Sequence, residues 1–296
     1  MHLQIENLSF QYDFFGTRSN PVLRNIHLNI SQGDFIALVG SSGSGKTTLM
    51  QHLTGLLKPQ EGRILVDGEN IWAKHFDRSE LRRKIGLVFQ FPEAQLFEES
   101  VFSDIAFGPQ NLGLSEKEVR KRVTEAMETV GLDPTSFRDR LPFNLSEGEK
   151  RRAAIAGVLA MQPLFLALDE PTAGMDHAGV NAIKHILQNY HRQGKTVLLI
   201  SHNLDFVSAL VQRLVVIHQG AILFDDDKDK LFDNPTLLKK AGLAIPRTKA
   251  VLDVLEQHGW VNSTKLYDLE DIKKALAAKM IDPKSSKKTG ENKSRG

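Results

Sequence analysis

The chain has 296 residues, of which 41% are hydrophobic and 25% charged, with a formal net charge of +2 and no cysteine. This is an ordinary globular composition; it excludes disulfides and thiolate chemistry, and near-neutral charge gives no electrostatic case for nucleic acid. No apolar run approaches the ~18 residues that cross a bilayer, and Met1 to Glu6 lacks the basic-then-apolar layout of a signal peptide, so a role at a membrane is expected to go through a partner.

Leu3 to Phe10 alternates apolar and polar residues, which predicts a half-buried strand. Tyr12 follows it, and the polar, glycine-containing stretch Asp13 to Asn20 reads as a loop. Val22 to Ile30 alternates again before Gln32-Gly33-Asp34 turns the chain. Two short alternating strands predict an antiparallel sheet beside the main core.

The apolar run Phe35-Ile36-Ala37-Leu38-Val39 then enters Gly40-Ser41-Ser42-Gly43-Ser44-Gly45-Lys46-Thr47-Thr48. This matches the phosphate-loop pattern G-x-x-x-x-G-K-[ST], and Leu49 to Leu53 reads as the start of the helix that the pattern requires. Glycines let successive backbone N–H groups turn inward around phosphate oxygens, and the helix points its positive end at the same anion. Lys46 is expected to reach the β- and γ-phosphates, and the Thr47 hydroxyl to hold Mg²⁺.

Lys58 to Gly62 reads as a turn, Arg63 to Gly68 as a strand with a tight turn, and Ile85 to Phe89 as a strand ending at Gln90. Between Phe91 and Ala160 the character becomes helical, with a well-capped helix from Ser115 to about Val130. The sheet resumes at Leu164 to Leu168 and ends in Asp169-Glu170; a helix over Ala178 to Arg192 and a strand over Thr196 to Ile200 follow, ending at Ser201-His202. Continuous apolar strands alternating with helices predict a parallel sheet covered on both faces, with ligands beyond its carboxyl ends. Gly40, Gln90, Asp169, Glu170 and His202 all fall there. Asp169 is placed to bind Mg²⁺ and Glu170 to act as general base on water.

Val215 to Ile217 and Ala221 to Phe224 read as a closing hairpin around Gln219-Gly220. Asp225-Asp226-Asp227 reads as a solvated loop, with metal binding as the alternative. Leu231 to Trp260 carries two helical patterns separated by Ile245-Pro246, and Leu266 to Met280 another amphipathic helix. The tail, rich in Lys, Ser and Gly, is expected to be disordered.

Leu145-Ser146-Glu147-Gly148-Glu149 completes the set. Ser146 and Glu149 predict a capping box, and a helix N-terminus there is also an anion site. The ordered series of phosphate loop, Gln90, Leu-Ser-x-Gly-x, Asp169-Glu170, Met175-Asp176 and His202 resembles the ATP-binding-cassette (ABC) ATPases over about residues 1 to 225. The resemblance implies an α/β P-loop NTPase fold: a cassette over 1–228 with an antiparallel β subdomain and a helical subdomain at about 91–160. A small accessory region over 229–281 and a disordered basic tail over 282–296 complete the expected organisation. It further implies that two cassettes pack head to tail around ATP and Mg²⁺. Gln90 would then sense metal and water, His202 contact the γ-phosphate, and Tyr12 stack on adenine. Ser146 and Gly148 would complete the partner's site, and Asp176 lie across the interface.

The signature departs from the usual Leu-Ser-Gly-Gly-Gln: Glu147 replaces the first glycine and Glu149 the glutamine. Two added carboxylates near a trapped γ-phosphate are expected to weaken closure unless they point away or meet cations such as Lys150. Phe89 to Glu99, Asp104 to Pro109, Arg151 to Ala160 and Pro171 to Asp176 resemble the energy-coupling-factor branch. That likeness implies a second ATPase subunit, alike or different, a transmembrane coupling protein and a substrate-binding membrane subunit, at the cytoplasmic face of the membrane and without nucleic acid. The implied work is uptake of vitamins or of transition-metal ions. The alternatives are a conventional importer ATPase, a soluble cassette protein acting on DNA or ribosomes, and an ATP-binding switch with little turnover.

Overall fold

A computed structural model describes residues 1–14, 17–18, 21–261 and 265–281. The stretch 282–296, expected to be disordered, lies outside the described residues. The first half runs β1 (Leu3–Phe10), β2 (Asp13–Phe14), β3 (Thr17–Arg18), β4 (Leu23–Ile30), β5 (Phe35–Val39), α1 (Lys46–Leu53), β6 (Glu61–Val66), β7 (Glu69–Asn70), α2 (Arg78–Lys84) and β8 (Ile85–Val88). A helical region follows, with α3 (Val101–Asn111), α4 (Glu116–Thr129), α5 (Pro134–Phe137) and α6 (Glu147–Leu159). The chain then returns to strands and helices through β9 (Phe165–Asp169), α7 (His177–Arg192), β10 (Thr196–Ile200), α8 (Leu204–Leu210), β11 (Arg213–His218) and β12 (Ala221–Asp227). It finishes with α9 (Lys228–Phe232), α10 (Pro235–Ala241), α11 (Arg247–Gln257) and α12 (Leu269–Ile281).

The central sheet has six strands in the order β12-β11-β5-β10-β9-β8. Its pairings are parallel except that of β12 with β11. Every residue of β5, β9 and β10 is buried, because both faces of the sheet are covered. The two-residue period divides each strand between two cores. Ile36 and Leu38 pack with Leu49, Met50 and the antiparallel sheet β4-β1-β6-β7 on one side, whereas Ala37 and Val39 pack with the helical layer on the other. Each such fully buried Ile, Leu, Val or Met side chain contributes roughly 1.5–3 kcal/mol of transfer free energy. A third, small core of Leu252, Val261 and Ile272 lies in the C-terminal region.

The helical region is inserted between neighbouring parallel strands, since β8 pairs directly with β9. The capping signal of α4 holds: Ser115 Oγ accepts from Glu118 N at 3.3 Å, with Glu116 and Glu118 in the first turn. Its buried residues Val119, Val123, Ala126 and Met127 follow helical spacing.

Several expectations are corrected. The loop expected from Asp13 onward contains a short hairpin, β2 with β3, whose two-residue strands are too short to show an alternating pattern. Asp225 to Asp227, expected as a solvated loop, is the end of β12; Asp225 and Asp226 are exposed as expected, and Arg213 reaches Asp225 at 2.6 Å, a charge partner that a local reading cannot see. Among the described residues no group of three or more His, Cys, Asp or Glu is arranged to hold a metal. α1 begins at Lys46, three residues before the first apolar residue, and α12 begins at Leu269 rather than Leu266. α2 and α8 were not anticipated. α2 buries only Leu81, and α8 is a seven-residue helix apolar on most sides, so neither shows a helical stripe.

Candidate functional site

The buried strand β5 delivers Gly40 to the carboxyl edge of the sheet, against the edge of β11. A Cβ built on Gly40 would lie 2.2 Å from Ile217 O, and its φ is +149°, so the loop starts at a position open to glycine alone. Gly45, with φ +106°, is the N-cap of α1. That helix end has no side-chain cap and no acidic residue in its first turn. Its N–H groups and positive dipole end are therefore left to a ligand, as in an anion cradle. Ser44 Oγ is buried in the loop without a hydrogen-bond partner, which fits an anion as acceptor of that hydroxyl.

Lys46 Nζ donates to Gly40 O at 3.0 Å and to Ser41 O at 2.9 Å, so the side chain folds over its own loop. Burial lowers its pKa, and the carboxylates of Glu170 and Asp169 oppose that shift. Thr47 Oγ1 donates to Asp169 Oδ2 at 2.7 Å. Asp169 is 4% exposed, and burial raises its carboxyl pKa, with the Thr47 hydrogen bond acting the other way. A hydroxyl and one carboxylate are hard oxygen donors of the kind that hold Mg²⁺, which takes its other ligands from water and phosphate. These residues fit the ion without a dedicated protein cage.

Glu170 follows β9 in the left-handed region, with φ +48°. Such a non-glycine conformation persists only where its surroundings hold it. The backbone N–H of Glu170 donates to Ile200 O at 2.9 Å. Its carboxylate is held at both oxygens, by Ser201 Oγ at 3.2 Å and by His202 Nδ1 at 2.9 Å. The Glu170 side chain is 12% exposed and that of His202 is 76% exposed, so the pair runs from the sheet edge to solvent.

A cavity of about 520 Å³ collects these groups. Of the residues singled out from sequence, Gly40, Ser42 to Thr48, Gln90, Asp169, Glu170 and His202 line it, joined by Val22 and Ile200. Ser41 lines a neighbouring cavity that continues past His202 to the segment Gly242 to Arg247. Tyr12 stands beside α1 instead: its hydroxyl is 3.3 Å from Thr48 Oγ1, and its ring meets Phe10 edge-on at 5.0 Å.

Ser146, Gly148 and Asp176 are not among the residues lining that cavity. Ser146 caps α6 in a complete capping box. Glu149 Oε2 accepts from Ser146 N at 2.8 Å and from Ser146 Oγ at 2.7 Å. Glu147, the other departure, points outward and pairs with Lys150 at 2.8 Å. Asp176 caps α7 through Gly179 N at 2.8 Å.

Sequence reasoning missed Ser201, which precedes His202 and is fully buried against Glu170. It also missed Arg151 and Glu93, a buried pair connecting α6 to the loop after Gln90. The signal for both lay in polar residues flanking motifs already found.

Comparisons with known proteins give the family. The family described as ABC transporter matches residues 23–173. The energy-coupling factor transporter ATP-binding protein EcfA2 of Clostridium tetani is 44% identical over 277 residues, covering 93% of this chain and 96% of that protein. The corresponding EcfA of Methanothermobacter thermautotrophicus is 39% identical over 264 residues, 89% of this chain and 83% of that one. Among solved structures, cbiO1 from Clostridium perfringens, described as part of the ABC transporter complex cbiONQ, superposes with a TM-score of 0.71 at 37% identity, covering 85% of this chain and 98% of that one. The cassette MJ0796, solved as a dimer bound to ADP and Pi, gives a TM-score of 0.67 at 28% identity, covering 76% and 98%. With a phosphate loop, an Asp169-Glu170 edge and His202 in one cavity, and relatives alike over nearly their whole length, the chain belongs to the ABC transporter family, as an ATP-hydrolysing subunit of the energy-coupling factor type.

Proposed function

We propose that this chain hydrolyses ATP at an interface between two cassettes and so powers uptake of a vitamin or transition-metal ion through membrane-embedded partners. The observation that carries the two-cassette reading is that Ser146 and Gly148 stand outside the chain's own phosphate-loop cavity. A second subunit, a copy or a paralogue, therefore supplies the signature side of each ATP site.

In this reading the N–H groups of Gly43 to Thr47 and the Lys46 ammonium bind the phosphates, while Tyr12 stacks on adenine. Thr47 and Asp169 would hold Mg²⁺, with Gln90 at its edge; the ion would offset charge on the β- and γ-phosphate oxygens. Glu170 accepts a proton from the attacking water, with Ser201 and His202 fixing its carboxylate. His202 also contacts the γ-phosphate, and Asp176 faces the partner cassette.

Coupling to a membrane partner is supported by a second cavity of about 610 Å³ beside the Gln90 loop. It is lined by Leu96, Phe97, Phe107 and Met161, with Arg82 and Arg83 at one side. Phe97 and Phe107 are 58% and 45% exposed and meet edge-on at 5.1 Å, an apolar seat for a helix from the partner. Among the described residues no helix is long and apolar enough to cross a membrane. In this reading, contact with the membrane goes through that partner, at its cytoplasmic face.

Purifying the tagged chain from membranes tests this reading. A second cassette subunit and an integral membrane protein should co-purify, and the assembly should hydrolyse ATP. Co-purification with a substrate-binding lipoprotein would point to a conventional importer, and an assembly that neither binds nor splits ATP would end the reading.

A further inference from the structure

One guanidinium in this fold ties its own helix to two other segments that flank the site. Arg151, on α6, is 5% exposed. Its Nε and Nη2 donate to Glu93 Oε2 at 3.0 Å and Oε1 at 2.6 Å, in the two-pronged geometry that only arginine offers a carboxylate. Glu93 lies in the 3₁₀ turn Pro92–Gln95, which follows Gln90 after Phe91. Arg151 Nη1 donates to Ala173 O and to Pro171 O at 3.5 Å, in the turn that follows Glu170. The guanidinium carbon also sits 5.9 Å from the ring centre of Phe91.

The contacts meet two strained points. Phe91 has φ +57° and Glu170 has φ +48°, both in the left-handed region that side chains disfavour. Each lies next to a segment that Arg151 holds, and such conformations persist only where neighbours over-determine them. Arg151 is thus the common anchor of the loop bearing Gln90, the turn behind Glu170 and the helix capped by Ser146. Glu93 is matched to it: burial opposes its ionisation, but the Arg151 hydrogen bonds and charge hold its carboxyl below the usual range.

We propose that Arg151 is a positioning residue, whose bonds to Glu93 and to the 171–173 carbonyls make the Gln90 loop, the signature helix and the general-base turn move as one unit. The phosphate loop makes none of these bonds, so ATP affinity and catalytic geometry should separate on substitution. The inference rests on the ATP-hydrolysing reading for its kinetic test alone; hydrogen exchange tests it independently.

Arg151→Lys keeps the charge but cannot bond both segments at once, and Glu93→Gln keeps the volume but loses the charged pair. In the purified full-length assembly, kcat should fall about tenfold to a hundredfold, since small misplacements of a reacting group cost that much. KM for ATP should change by less than about threefold. The double variant should lose no more than the worse single one, because both changes break one linkage. Amide exchange should accelerate together in the 90–96 and 171–175 segments of Arg151→Lys. If kcat stays within about twofold of wild type, or falls only in step with melting temperature and a rising KM, the proposal is wrong. Exchange that changes in one segment and not the other would overturn it as well. If Arg151→Lys does not fold, Glu93→Gln carries both measurements. A wild-type assembly without ATPase activity would sink the functional reading, leaving the exchange result to decide on the linkage.

Discussion

Replacing Glu149 with glutamine is expected to make the two-cassette closed state easier to reach. In the structure Glu149 occupies the donors that a partner's γ-phosphate would seek, the N–H and hydroxyl of Ser146 at 2.8 and 2.7 Å. Its carboxyl is held below the usual range by the Ser146 hydroxyl first and the Ser146 N–H second, with Arg152 and Arg140 adding to that. It therefore stays ionised at all pH values near neutrality. A phosphate oxygen sharing those donors would stand about 4–5 Å from the carboxylate. Two like unit charges about 5 Å apart repel by about 0.8 kcal/mol at the dielectric of water and about 3 kcal/mol at an effective value of about 20. Closure excludes water, so the cost lies between these limits, or about fourfold to 150-fold in affinity.

Glutamine keeps an oxygen for the Ser146 N–H, since capping boxes accept either residue, so α6 should stay capped. The assay is ATP-driven closure, read by light scattering or by energy transfer between labelled subunits, in a Glu170→Gln background that stops turnover. The half-saturating ATP concentration should fall about fourfold or more, and the gain should shrink as salt rises. The pH dependence has a definite sign. A depressed carboxyl pKa means that the cap's contribution is fully present above the unfolded value of about 4.3 and is lost as pH falls through the lower folded value. Between about pH 6 and 8 the advantage of the variant should therefore be constant. An unchanged or higher ATP requirement would show that the carboxylate swings clear at no cost, and would refute the electrostatic reasoning.

Two further outcomes follow from the geometry of the site. Glu170→Gln retains both hydrogen-bonding positions but cannot take a proton, so nucleotide binding should persist while turnover falls about 10²- to 10⁴-fold; hydrolysis at the normal rate would remove Glu170 from the role of base. Gly40→Ala would place a methyl 2.2 Å from Ile217 O, so binding of a fluorescent ATP analogue should be lost and the melting temperature should drop. A variant that binds normally would mean that the first turn of the loop can move away from β11.

Much of the architecture was legible locally because it rests on short-range chemistry. Runs such as Phe35 to Val39 announce strands buried on both faces, and glycines before Lys46 announce a turn that cradles phosphate. The N-cap of α4 and the capping box of α6 were likewise readable, since a cap is made within four residues. Even the shared placement of Gly40, Gln90, Asp169, Glu170 and His202 at strand ends follows from counting along each strand.

What tertiary structure alone decided are contacts between residues far apart in the chain. Thr47 and Asp169 are 122 positions apart and meet at 2.7 Å, and Arg151 gathers partners 58, 20 and 22 positions away. The same holds for Asp225, read locally as part of a loop yet placed in β12 by its register opposite Val215, with Arg213 as the charge partner of its side chain. Periodicity and turn chemistry act over a few residues and so declare the elements one at a time. Which polar side chains face one another depends on strand order and register, and these are set by how the whole chain buries its two cores.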